Sequence, residues 1–147
     1  MQQQAGITAV AHAIQLSVAP VFLLSGVAAI LAVMTSRLAR IIDRARVLES
    51  RLGGVAPEAI AALHSELATL SRRAKLIHRS ITLCTMTALL ICAVIVTAFL
   101  GVVFLQADLS MPMAILFVAA MVTFFSGLVF FLREVFIATA NLRIGPH

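Results

Sequence analysis

Acidic residues are scarce in this chain. The six of them, Asp43, Glu49, Glu58, Glu66, Asp108 and Glu134, are scattered along 147 positions. No pair has the spacing by which two carboxylates work together in a glycosidase or a two-metal site. Cysteine is scarcer still. Cys84 and Cys92 stand eight apart in one apolar stretch, on a shared helix face but about 12 Å apart along the axis. That is too far for a disulfide, so free, packed thiols are expected. The histidines are spread over separate segments with no second ligand near any of them, which argues against zinc. Gly53-Gly54 lacks the flanking strand of a nucleotide loop, and serines and threonines in the apolar runs have no histidine beside them for nucleophilic work. No catalytic residue, cofactor or metal is therefore expected.

Charge as a whole is also low. Only 12% of residues are charged and 62% are apolar, with a mean hydropathy of +1.10, whereas a soluble domain is about a quarter charged. The length allows one domain. Its apolar blocks are too long for soluble core helices, so the expected class is all-α integral membrane. A net charge of +5 would suggest nucleic acid in a soluble protein; beside membrane helices it is better read as their cytoplasmic flank, and nucleic acid is not an expected partner. Residues 1–15 lack the basic start of a cleavable signal peptide, so the first helix is expected to stay in the bilayer.

What the chain does have is one basic segment set between apolar runs. Nine of the eleven Lys and Arg residues, namely Arg37, Arg40, Arg44, Arg46, Arg51, Arg72, Arg73, Lys75 and Arg79, lie in it. Around it the sequence divides into an N-terminal segment (1–16), a first span (17–36), the basic segment (37–80), a second span (81–105), a short loop (106–111), a third span (112–132) and a tail (133–147). A short interfacial helix is expected before the first span, with Ser17 placed to cap that span and Pro20 in its first turn. Nothing from Val27 to Leu52 breaks a helix, so the first span should run on into the basic segment. Gly53-Gly54-Val55-Ala56-Pro57 is the strongest turn signal. From Pro57 to Gly101 there is again no proline or glycine inside, which predicts one long helix. Ser110 and Pro112 open the third, and residues 133–144 look like its continuation. The positive-inside rule puts the N-terminus outside, the C-terminus inside and the basic segment in the cytoplasm.

That segment folds on paper as an antiparallel helical hairpin. Leu38, Ile41, Ala45, Leu48 and Leu52 step by three and four, as do Ile60, Leu63, Leu67, Leu70, Ala74, Ile77 and Ile81; these are coiled-coil seams. Folding at Gly53-Gly54 sets Ile41 against Leu67 and Leu38 against Leu70, brings Arg44 beside Glu66 and Glu49 near His64, and makes Arg37 meet Arg73. The same register carries Arg72, Arg73, Lys75, His78 and Arg79 level with the inner half of the first span, where a charge in lipid costs at least about 2.5–3.5 kcal/mol. Three remedies exist: a bend near Ser71, side chains that snorkel, or charges turned toward protein. Glu134 has the right depth to neutralise Arg79 or Arg73. The candidate interaction or inner-mouth cluster is therefore Arg37, Arg40, Asp43, Arg44, Arg72, Arg73, Lys75, Arg79 and Glu134. It is either an interfacial belt with a salt bridge or an arginine ring lining an anion-selective vestibule.

Pro20, Thr35-Ser36-Arg37-Leu38, Arg44-Ala45-Arg46, Leu70-Ser71-Arg72-Arg73, Leu76-Ile77-His78-Arg79, Arg133-Glu134-Val135 and Ala138-Thr139-Ala140 resemble the bacterial membrane proteins of domain-of-unknown-function family 2721. The likeness runs from about residue 13 to 143 and departs at Val135, where the pattern has isoleucine. It implies a small three-helix protein of the bacterial inner membrane without an established activity. Small-residue stripes, Ala93-Thr97-Gly101 and Ala119-Thr123-Gly127, suit close helix packing, within one subunit or between subunits. The expected function is a non-enzymatic scaffold of the inner membrane, homo-oligomeric, touching anionic lipid headgroups and a cytoplasmic protein. A homo-oligomeric channel or transporter is the alternative. No ionisable residue lies near the middle of any span, which weighs against proton-coupled transport.

Overall fold

A computed structural model describes residues 2–51, 57–103 and 110–140, all of them in three α-helices. These are α1 (Gln2–Arg51), α2 (Pro57–Val103) and α3 (Ser110–Ala140). The Gly53-Gly54 turn, the loop 106–109 and the tail from 141 lie outside the described residues. Each helix holds a stretch long and apolar enough to cross a membrane, within Ser17–Arg51, Ala59–Gly101 and Ser110–Ala140. Large apolar side chains, Phe22, Leu89, Ile115, Val122 and Phe125 among them, are exposed along all three. Water would penalise that much apolar surface; hydrocarbon does not.

The helices start and continue for local reasons. Pro57 occupies the first position of α2, where its missing N–H costs nothing. Ser110 opens α3 with Pro112 in the first turn. Near the N-terminus the structure departs from expectation: α1 begins at Gln2 and runs unbroken past residue 17, so Ser17 lies inside the helix rather than at its start, and Pro20 is interior. Proline there removes the bond to the carbonyl four residues back and crowds that carbonyl with its ring, a cost that membrane helices tolerate. At about 1.5 Å per residue, α1 and α2 are each about 70 Å long or more, over twice the hydrocarbon thickness of about 30 Å. α2 is helical without interruption through Ser71.

The chain forms two compact units. One comprises Met1–Leu31 and Leu83–Phe125. Its buried residues are Pro20 and Val27 on α1, Cys84, Thr87, Ile91 and Val94 on α2, and Ala120 on α3. The Thr87 and Thr123 hydroxyls meet at 3.0 Å, and Thr123 also donates to the carbonyls of Ala119 and Ala120 on its own helix. An apolar pocket of about 340 Å³ in this unit is lined by Pro20, Val94, Ala98, Met113 and Phe117 among others.

The other unit comprises Ala32–Thr82 and Ser126–His147. It buries Met34, Ile41 and Leu48 on α1, Leu70, Ile77 and Ser80 on α2, and Gly127 and Glu134 on α3. Ser80 donates to the Gly127 carbonyl at 2.6 Å and lies 3.3 Å from the Met34 sulfur. Every described residue of the two expected seams is buried or half-buried. Along each helix the buried positions recur at sevens: 20, 27, 34, 41 and 48 on α1, 70, 77, 84 and 91 on α2, and 120, 127 and 134 on α3. Small side chains at 80, 84 and 87 and at 120, 123 and 127 let α2 and α3 approach within hydroxyl reach in each unit.

One expectation is corrected here. Cys84 is buried and Cys92 exposed, because eight steps of 100° leave the two about 80° apart around the axis. Beyond the expected stripe on α2, Ser80 and Thr87 supply the hydroxyls that bond to α3.

Candidate functional site

The second unit contains the one fully buried charge among the described residues. Glu134 is 0% exposed, and each of its oxygens is taken. Arg73 donates from Nε at 3.1 Å and Nη2 at 2.8 Å to Oε1. Arg37 donates from Nη1 at 3.0 Å to Oε2. An isolated carboxylate in such a place would cost several kcal/mol; two guanidinium partners and three charge-assisted bonds offset it. Arg37 also lies over the Phe131 ring, 5.5 Å from its centroid, a contact worth about 0.5–1 kcal/mol at a partly exposed site. No buried side-chain nitrogen or oxygen among the described residues lacks a partner.

Three helices contribute one group each to this clasp, for reasons visible in their spacing. Glu134 continues the seven-residue series of buried positions that Ala120 and Gly127 occupy on α3, so its side chain is carried inward by the same periodicity. Arg37 and Arg73 flank buried positions on α1 and α2, three residues past Met34 and Leu70. The sequence register set Arg37 against Arg73 as a like-charge contact. Both instead bond to the carboxylate between them, so the repulsion is relieved by a third helix. Glu134 with Arg73 was one of the two pairings anticipated; Arg79 is exposed and does not join it.

Beside the clasp lies a cleft of about 380 Å³, lined by Arg37, Arg40, Ile41 and Arg44 on α1, Leu70 and Arg73 on α2, and Val135, Ala138 and Thr139 on α3. The α1 residues fall on one face at steps of three and four. Arg44 bonds to Glu66 at 3.2 Å with both side chains well exposed, a pair worth at most about 1 kcal/mol. Arg40 is exposed and has no ion pair among the described residues. Lys75 and Arg79 line a separate groove with Leu38, Ile42 and His78. Asp43 and Arg72 are exposed and join neither group. Glu49 and His64, expected near each other, line one groove with Ile41, Leu67 and Leu70.

The nine candidate residues thus divide. Arg37, Arg73 and Glu134 form the clasp, Arg40 and Arg44 extend it into a basic cleft, and Asp43, Arg72, Lys75 and Arg79 stay outside. A family model described as "Protein of unknown function (DUF2721)" matches residues 17–144. The chain belongs to that family. The match takes in every residue of the clasp and the cleft. No curated protein and no solved structure matches the chain.

Missed by the sequence reading were Arg37 as second partner of Glu134, Phe131 beneath it, and the Ser80–Gly127 and Thr87–Thr123 contacts. Thr123 and Gly127 belong to the small-residue stripe of α3, so the α3 side of the last two contacts is legible in the sequence, whereas Ser80 and Thr87 lie outside the stripe expected on α2.

Proposed function

We propose that this DUF2721 protein is a non-enzymatic scaffold of the bacterial inner membrane. In this reading its N-terminus is outside and its C-terminus is cytoplasmic. α1 and α2 extend beyond the bilayer as an antiparallel, coiled-coil-like hairpin that offers a charged face to a cytoplasmic protein. The observation that carries the reading is the division of charge in the second unit. Arg37 and Arg73 turn inward to Glu134, while Arg40, Asp43, Arg46, Glu49, Arg51, Glu66, Arg72, Lys75 and Arg79 are exposed on the two arms. Charges spent on a buried clasp hold helices together; charges left in water are available to a partner. The antiparallel arrangement is supported by the contacts themselves, since partners on α2 rise in number as those on α1 fall: Arg44 with Glu66, then Met34 with Ser80. The buried positions repeating at sevens support the coiled-coil likeness. The basic residues between the first two spans support the orientation.

Orientation is tested with single cysteines in a Cys84→Ser, Cys92→Ser background. A membrane-impermeant maleimide added to intact spheroplasts is expected to spare Gly54→Cys and to label Gln4→Cys. Labelling of Gly54→Cys from outside would invert the topology and remove the docking face from the cytoplasm.

Activity is tested by ion flux through liposomes carrying the purified protein. We expect none above protein-free liposomes, with Arg79→Ala indistinguishable from the parent. An anion-selective current abolished by Arg79→Ala would replace the scaffold with a homo-oligomeric channel.

A further inference from the structure

The cleft beside the clasp carries more positive charge than its neighbours neutralise. Four guanidinium groups line it, Arg37, Arg40, Arg44 and Arg73. Two carboxylates are bonded to them: Glu134, shared by Arg37 and Arg73, and Glu66 on Arg44. Four positive charges against two negative leave a surplus of two: one on Arg40, which has no ion pair among the described residues, and one on the clasp, where two arginines share a single carboxylate. A planar guanidinium presents a rigid fork of donors that matches a phosphate, and most donors of Arg40 and Arg44 are uncommitted among the described residues.

The α3 side of the cleft is mostly apolar. Val135 and Ala138 line it together with Thr139, and on the same helix Leu132 and Phe136 are exposed. An anion that fits here therefore meets cations on one side and, within one helical turn, a surface suited to hydrocarbon on the other. A free phosphate would use only the first of these; a phospholipid uses both. Basic pockets between transmembrane helices are known binding places for anionic headgroups.

We propose that the cleft is a binding site for the phosphate of an anionic phospholipid, held by Arg40 and Arg44 with its acyl chains along Leu132 and Phe136. This deepens the scaffold reading by naming a lipid partner for part of the same cluster, and rests on it only in placing the cleft at a membrane surface. Arg37 and Arg73, held by Glu134, form the rigid floor of the site. Because lipid retention is measured in micelles, regardless of sidedness, its failure would leave the topology result untouched, and the reverse also holds.

The test is native mass spectrometry of the full chain in neutral detergent, titrated with phosphatidylglycerol or phosphatidylcholine of identical acyl chains. Phosphatidylglycerol is expected to be retained about tenfold better, and Arg40→Gln to remove that preference, a change about equal to one charge-assisted hydrogen bond. Arg46→Gln, which removes the same charge from an exposed position outside the cleft, is expected to keep it. Arg40→Lys, with the charge but without the fork, is expected to fall between, and it decides the question if Arg40→Gln loses helicity. Equal retention of the two lipids would overturn the proposal. So would an equal loss in Arg40→Gln and Arg46→Gln, which would mean surface charge in general. Displacement of the lipid by an equal concentration of glycerol phosphate would also overturn it, by showing a site for a free anion.

Discussion

Replacing Glu134 with alanine is expected to cost the protein about 3 kcal/mol or more of stability, the largest effect of any single substitution proposed for this chain. Removing one partner of a buried ion pair typically costs about 3–5 kcal/mol, because the remaining charge is stranded. Here two cations are stranded, but each is partly exposed, Arg37 at 36% and Arg73 at 23%, and both can turn toward water. That places Glu134→Ala at the lower end of the range. The converse experiment is more severe. Arg37→Ala with Arg73→Ala leaves a fully buried carboxylate with no cation, and this double variant is expected to lose more than Glu134→Ala. A double-mutant cycle on Arg37 and Arg73 should be strongly non-additive, since either arginine alone still satisfies part of the carboxylate. The measurement is unfolding in detergent followed by far-UV circular dichroism. Additive, small losses would mean that the clasp is not a structural unit.

Ile77→Ala is expected to destabilise by about 2 kcal/mol, near the bottom of the usual range of about 2–5 for emptying a core position. Ile77 is fully buried and belongs to the seven-residue series on α2. The loss is the cavity left where a well-packed side chain is cut back, together with its missing contacts. Leu89→Ala is the control. Leu89 is an exposed residue of the same helix, and its truncation is expected to change stability by less than about 0.5 kcal/mol. Equal losses at the two positions would mean that burial along the sevens does not define the packed face.

The class of the protein was legible from composition and run lengths, and the three helices from their uninterrupted apolar and amphipathic stretches. The inward faces of both arms were legible too: Leu38, Ile41, Ala45 and Leu48 on α1, and Leu67, Leu70, Ala74 and Ile77 on α2, recur at three and four, and such steps keep one side of a helix turned to its neighbour. The Arg44–Glu66 pair followed from the same register. The N-terminal boundary was not legible, because a short helix before the first span is expected to end at it, and proline in a first turn reads as a fresh start rather than as the interior of one long helix.

Glu134 marks where one-dimensional reading ended. Depth along the third helix nominated it as a partner, since rise per residue is a property of the backbone alone. Which arginine it meets depends on the rotation of three helices about their own axes. That rotation is set within the clasp's own unit, where Ser80 bonds to the Gly127 carbonyl and brings α3 against α2. Small shifts in it carry Arg79 out to solvent and Arg37 and Arg73 in toward one carboxylate. Periodicity along a chain is local and survives in the sequence. The meeting of three side chains 36 to 97 residues apart is a property of packed surfaces, and it exists only once they have closed.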